Sequence, residues 1–110
     1  MLHMNKELLK GTTDIMILKL LKKEPMYGYG MIKEFAILSK GTFKFKEGTL
    51  YPILHNLEKK ELIQSLWKQN PGERKRKYYQ ITKKGISTLE ERSTEWEIFQ
   101  QAINDVLSYE

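Results

Sequence analysis

The chain has 110 residues, a formal net charge of +5 and no cysteine, with 40% hydrophobic and 30% charged residues. That length and balance fit one soluble globular domain, and the missing thiols exclude disulfides, thiolate metal sites and a cysteine nucleophile. The positive excess suits an anionic partner, either nucleic acid or a membrane surface.

The opening Met1-Leu2-His3-Met4-Asn5-Lys6 has no charged leader followed by a long apolar run, so no signal peptide is expected. The longest apolar run, Ile15 to Leu18, is far short of the roughly 20 residues that cross a membrane. The expected compartment is therefore the cytoplasm.

A first helix is expected from about Thr12 to Lys23, preceded by a turn through Leu8 and Leu9. Thr12, Thr13 and Asp14 are good residues for a helix start. Ile15, Leu18 and Leu21 form a stripe that Met16, Ile17 and Leu20 widen, which predicts burial on more than one side. Pro25 stops this helix. A second helix should follow the segment Tyr27-Gly28-Tyr29-Gly30, with Met31, Ile32, Phe35 and Leu38 on one face. Gly41 suits the position just past its end. Thr42 to Lys46 alternates polar and apolar, as a short extended segment does.

A third helix is expected from near Glu47 to about Lys60, with Leu50, Ile53, Leu54 and Leu57 turned inward. Thr49, His55, Asn56, Lys59 and Lys60 lie opposite, and Pro52 reads as a first-turn proline. The period then changes to two. Leu62 to Trp67 and Arg76 to Ile81 read as the strands of a hairpin, joined by a loop with a strong turn signal at Asn70-Pro71-Gly72. A last helix runs from near Thr82 to about Ser108, with Ile86, Leu89, Trp96, Phe99, Ile103, Val106 and Leu107 along one stripe. Such a helix extends nearly 40 Å at about 1.5 Å per residue, longer than a compact domain of this size requires. It must find an apolar partner, most simply a second copy of itself.

Three helices followed by a hairpin with a basic tip is the order of a winged helix-turn-helix, whose third helix enters the major groove. Thr49 and Tyr51 can donate hydroxyls to phosphate at the helix start, and His55, Asn56 and Lys59 face outward toward base edges. Arg74, Lys75, Arg76 and Lys77 form the densest cationic run, and strand alternation separates Arg74 and Arg76 from Lys75 and Lys77. Taken alone, such a run is also what a solvated loop looks like, and His55 and Asn56 equally fit ordinary surface positions. Tyr27 and Tyr29 fit packing as well as phosphate donation, and of Tyr78 and Tyr79 one should pack while the other is wetter. Trp96 reads as interface packing. Its sharper reading is a pocket for a planar effector, shared with Phe99 and apolar residues of the first helix such as Ile15 and Leu18.

Catalysis finds no support. His3 and His55 stand apart, no set of side chains has metal-ligand spacing, and there is no glycine-rich phosphate loop. Glu58, Glu61, Glu90 and Glu91 read as solvated charge. The expectation is a non-enzyme without catalytic residues, metal or cofactor.

Four stretches resemble the PadR family of bacterial transcription regulators. They are Leu8-Leu9-Lys10-Gly11-Thr12 with Ile15, Ile17 and Leu18; Pro25-Met26-Tyr27-Gly28-Tyr29 with Ile32; Gly48-Thr49-Leu50-Tyr51-Pro52-Ile53-Leu54 with Leu57-Glu58; and Arg76-Lys77-Tyr78-Tyr79-Gln80-Ile81-Thr82 with Gly85. The resemblance implies a dimer made by the N- and C-terminal helices. It also implies repression of nearby promoters, relieved in some members by a small aromatic or multidrug-like ligand. By the same resemblance Thr49, Tyr51, Arg74, Arg76 and Lys77 face DNA, Trp96 lines the effector pocket, and the single C-terminal helix marks the shorter subfamily. The chain departs from the pattern at Asn56, where arginine is usual, and at Glu61, where glycine is usual.

The combined expectation is a mainly α fold with a small β-hairpin: a winged helix-turn-helix over residues 1–82 and a dimerisation helix over residues 83–110. It would act as a homodimeric repressor on double-stranded DNA at a near-palindromic operator. The alternative is a winged-helix protein-interaction module without specific DNA binding. A membrane-surface role is disfavoured, because the basic residues lie on the hairpin and not along an amphipathic helix.

Overall fold

The computed structural model describes Leu9 and residues 11–110; His3, Leu8 and Lys10, named above, lie outside the described residues. In chain order the elements are α1 (Thr13–Lys23), β1 (Met26–Tyr27), α2 (Gly28–Leu38), α3 (Glu47–Lys59), β2 (Ile63–Lys68), β3 (Arg76–Ile81) and α4 (Lys83–Leu107). The fold is a winged helix-turn-helix with a long C-terminal helix.

α1 begins after Thr12, but the two threonine hydroxyls turn backwards. Thr12 Oγ1 and Thr13 Oγ1 both donate to the Leu9 carbonyl, at 2.9 and 3.2 Å, and neither accepts from the helix start. Asp14 remains in the first turn and Lys22 and Lys23 in the last, the arrangement the helix dipole favours. Ile17, Leu18, Leu20 and Leu21 are buried, so the wide apolar stripe is enclosed.

The sheet has three strands rather than two. Met26 and Tyr27 pair antiparallel with Tyr79 and Tyr78, giving the order β1-β3-β2. Two residues after Pro25 were too few to carry a strand period. α2 consequently starts at Gly28, within the segment expected to precede it. Gly28 is required there because a Cβ would lie 2.6 Å from the Tyr51 hydroxyl. Phe43 and Phe45 alternate inward on the extended segment before α3, and Phe45 meets Phe35 edge-on at 5.1 Å.

α2 and α3 end in the same way. After α2, Lys40 N–H donates to the Ile37 carbonyl and Gly41 N–H to the Ala36 carbonyl at 2.7 Å. After α3, Glu61 N–H donates to Glu58 and Leu62 N–H to Leu57, both at 3.0 Å. This is the Schellman arrangement, which places one residue in the left-handed region. Lys40 (φ 53°) and Glu61 (φ 63°) take that position, so Gly41 (φ 84°) comes one residue later than expected. Glu61 is thus a strained helix terminus. Pro52 is also misplaced by the sequence reading: it is the sixth residue of α3, beyond the first turn, and has no N–H for the Gly48 carbonyl.

The core gathers Leu50, Leu54 and Leu57 of α3, Ile17, Leu18 and Leu21 of α1, and Met31 and Phe35 of α2 over Ile63 and Tyr79 of the sheet. α4 joins it through Gly85 and Leu89. Thr82 forms the joint. Its hydroxyl accepts from Gly85 N–H at 3.0 Å and donates to the Glu61 carbonyl at 2.7 Å, while its own N–H donates to the Leu62 carbonyl at 3.1 Å. A Cβ on Gly85 would collide with that Leu62 carbonyl and sit 2.7 Å from Ile81. Beyond Leu89 the helix runs outward, and the molecule measures 60 × 35 × 21 Å.

Two substitutions should shift stability in opposite directions. Gly85→Ala should cost about 2–3 kcal/mol, because the collision is with backbone. Glu61→Gly should gain about 1 kcal/mol by relieving the left-handed residue. Thermal or urea unfolding at fixed protein concentration reads both.

Candidate nucleic-acid interface

α3 is held by its leucines. Leu50, Leu54 and Leu57 are fully buried, which turns Thr49, Tyr51, Pro52, His55, Asn56 and Lys59 to solvent. Tyr51 is only partly free, since its ring lies on Gly28 at the start of α2. Burial pushes its phenol above the ordinary value of 10.0, with the Glu47 carboxylate and Tyr79 adding to the shift. The hydroxyl therefore stays protonated, and a donor, at any physiological pH.

The wing is a six-pair antiparallel ladder from Ile63↔Ile81 to Lys68↔Arg76. Its tip turns at Asn70–Glu73, where Glu73 N–H donates to the Asn70 carbonyl at 3.0 Å. Pro71 precedes Gly72 at φ 80°, the pattern of a type II turn. Arg74 and Lys75 follow the turn in the exposed loop.

Alternation divides the two strand cations as expected, and each face supplies partners. On one face the Arg76 guanidinium lies 4.5 Å from the Tyr27 ring centre, Lys68 lies 5.3 Å from that of Tyr78, and the two tyrosines meet edge-on at 5.4 Å. On the other, Lys77 lies 5.4 Å from the ring centre of buried Tyr79 and 3.8 Å from Glu58 of α3. Ser65 Oγ donates to the same Glu58 carboxylate at 2.7 Å. Glu58 is therefore half-buried and engaged, not solvated. Of Tyr78 and Tyr79, Tyr79 is the buried one. Trp67, cross-strand from Lys77, is 61% exposed and was passed over in the sequence, where an isolated tryptophan in a strand carries no sign of which way it faces.

A second feature lies between the start of α1 and α4. An open cavity of about 870 Å³ is lined by Ile15, Trp96, Ile98, Phe99 and Ala102, with Arg92 and Glu95 at its polar side. The rings of Trp96 and Phe99 are 6.1 Å apart. Arg92 bonds Asp14 at 3.4 Å, tying α4 to α1. Phe99 continues into a smaller groove of about 270 Å³ with Ile103, Val106 and Leu107. Leu18 does not belong with these residues. It is fully buried in the core and has no surface for a partner or ligand, because the first helix is apolar around most of its circumference and packs Leu18 inward.

Among the described residues no helix is long and apolar enough to cross a membrane, and no group of three or more acidic or histidine side chains could hold a metal ion. Three helices, a strand strapped to the wing and a basic tip define a winged helix-turn-helix regulator of transcription. The chain belongs to the PadR-like transcriptional regulator family, whose model matches residues 17–91. A transcriptional regulator from Clostridium thermocellum has a similar structure, with a TM-score of 0.83 and 33% identity over 90% of this chain and 96% of that one. A PadR-like regulator from Bacillus cereus is similar at 0.83 and 33%, over 94% and 99% of the two chains. Transcriptional regulator YqjI of Escherichia coli is 28% identical over 84% of this chain, which spans 43% of YqjI. The protein is thus a DNA-binding transcription regulator and not an enzyme.

The raised Tyr51 phenol has a measurable sign. Its contribution to stability is complete below pH 10.0 and is lost as the pH rises through the higher folded value. Tyr51→Phe should flatten the fall in urea midpoint as the pH rises above 10.0, with little change at neutral pH.

Proposed function

We propose that the protein is a homodimeric repressor that reads two half-sites of a near-palindromic operator, one per α3. The observation that carries this reading is the division of its exposed surface. The outward face of α3 and the basic wing tip are polar, whereas the outer half of α4 exposes Ile98, Phe99, Ile103, Val106 and Leu107 in succession. A stripe of that size in water favours self-association, and two-fold closure is the common solution.

In this reading Thr49 and Tyr51 donate to phosphates, and His55, Asn56 and Lys59 meet base edges. Arg74 and Lys75 at the tip reach phosphates next to the groove, with Arg76 and Lys77 directly behind them at the outer end of the strand ladder. Residues 1–82 serve as the DNA-binding part and residues 83–110 as the dimerisation helix. The cavity beside Trp96 is completed by the partner and receives a small, largely apolar aromatic effector that relieves repression.

A mobility shift with DNA from upstream of the protein's own gene, against non-specific competitor, tests the reading. Retardation should fall steeply with salt. Arg74→Ala with Lys75→Ala should weaken binding to all sequences alike and flatten the log–log salt slope by about 0.9 per lost phosphate contact. Changes at His55 or Asn56 should instead alter sequence preference. Phe99→Asp should yield a monomer by light scattering, and a dimer in that variant would remove α4 from the interface.

A further inference from the structure

Lys77 lies in the cationic run of the wing, yet the folded protein already occupies it. Its ammonium sits between the Glu58 carboxylate at 3.8 Å and the face of Tyr79, and its side chain is 39% exposed. Glu58 cannot simply swing away. It projects from α3 next to buried Leu57, is 29% exposed, and holds a 2.7 Å hydrogen bond from Ser65 across the gap to β2. One carboxylate therefore bridges α3 to both strands of the wing.

We propose that Glu58 is a positioning residue for the wing: it withholds Lys77 from the phosphate backbone, so that this cation contributes little to DNA binding on any sequence. The inference rests on the DNA-binding reading above. The physical basis is competition for one cation. Every lysine free to neutralise a phosphate adds a counterion-release term to binding on any sequence, whereas a lysine held by a carboxylate adds none until that pair is broken. Affinity for any duplex is therefore lower than the four cations of the run would produce. The pair itself adds little stability, since exposed ion pairs are weak. Its consequence lies in where the charge points.

The test is a double-mutant cycle on a random-sequence duplex, read by fluorescence anisotropy across a salt series. Glu58→Gln keeps an acceptor for Ser65 but releases Lys77. It should steepen the salt slope by up to about 0.9 per protomer and tighten binding by up to about fivefold per protomer at about 0.1 M salt. Lys77→Met alone should leave the wild-type slope nearly unchanged. With both substitutions the gain should vanish, and thermal unfolding of all the proteins checks that the fold is kept. An equal gain from Glu58→Gln with and without Lys77 would overturn the proposal, because simple loss of negative charge would then explain it. So would a wild-type slope that flattens by about 0.9 per protomer when Lys77 alone is replaced. A wild-type protein that binds no duplex even at low salt would overturn the DNA-binding reading itself, a result distinct from a duplex-binding protein with no Glu58–Lys77 coupling.

Discussion

Three functional elements take their directions from one backbone corner. α3 ends at Lys59, the wing begins at Ile63 and α4 begins at Lys83, and all three meet where Thr82 bonds the Glu61 and Leu62 carbonyls. The missing side chain of Gly85 lets the start of α4 rest directly on that backbone. Lys84 adds a further tie, donating to the Lys60 carbonyl at 3.1 Å. Backbone carbonyls at a helix end need partners, and here the partners come from the next functional element instead of from water. The recognition helix, the wing and the C-terminal helix are thus oriented by a few hydrogen bonds and one close contact. The left-handed Glu61 is tolerated because these bonds leave the chain no other path.

Outside that corner the wing is organised by its two faces. Tyrosines lie under Arg76 and Lys68 on one side, while Tyr79 and a carboxylate hold Lys77 on the other. A cation over an aromatic face is held by roughly 0.5–1 kcal/mol at an exposed site, enough to orient it but not to remove it from solution. The cations of the strand ladder are in this way held by ring faces and a carboxylate. Arg74 and Lys75 stand beyond the turn in the exposed loop, where reach toward a phosphate is least restricted.

α4 resolves a different conflict. Its first two turns belong to the core through Gly85 and Leu89, but Trp96, Phe99 and the apolar residues after them face outward. Burying such side chains is worth about 25 cal/mol per Å² of apolar area, so the extended helix carries a standing drive to associate. The cavity beside Trp96 opens on the same surface, with the Arg92–Asp14 pair at its edge. A ligand there would lie against the helix that carries the association surface and also against α1, which packs on the DNA-binding core.

Periodicity and turn residues located α1 to α4, both wing strands and the basic tip, because those signals are local. Leucines three and four apart write the buried face of α3, and Asn70-Pro71-Gly72 writes its own turn. The strand Met26–Tyr27 was invisible, since a two-residue pairing leaves no period and exists only because Tyr78 and Tyr79 arrive alongside. Leu18 looked available because an all-round apolar helix does not say which side is outermost. Pro52 read as a first-turn residue because its place depends on where α3 begins, a matter of one turn that capping signals did not fix. Glu58 read as solvated because its partners, Ser65 and Lys77, lie 7 and 19 residues away in sequence. By itself, then, the sequence determined the four helices, the two wing strands and which side chains are candidates for contact. Only the tertiary structure decided which charges remain free, since that depends on contacts between residues far apart in the chain.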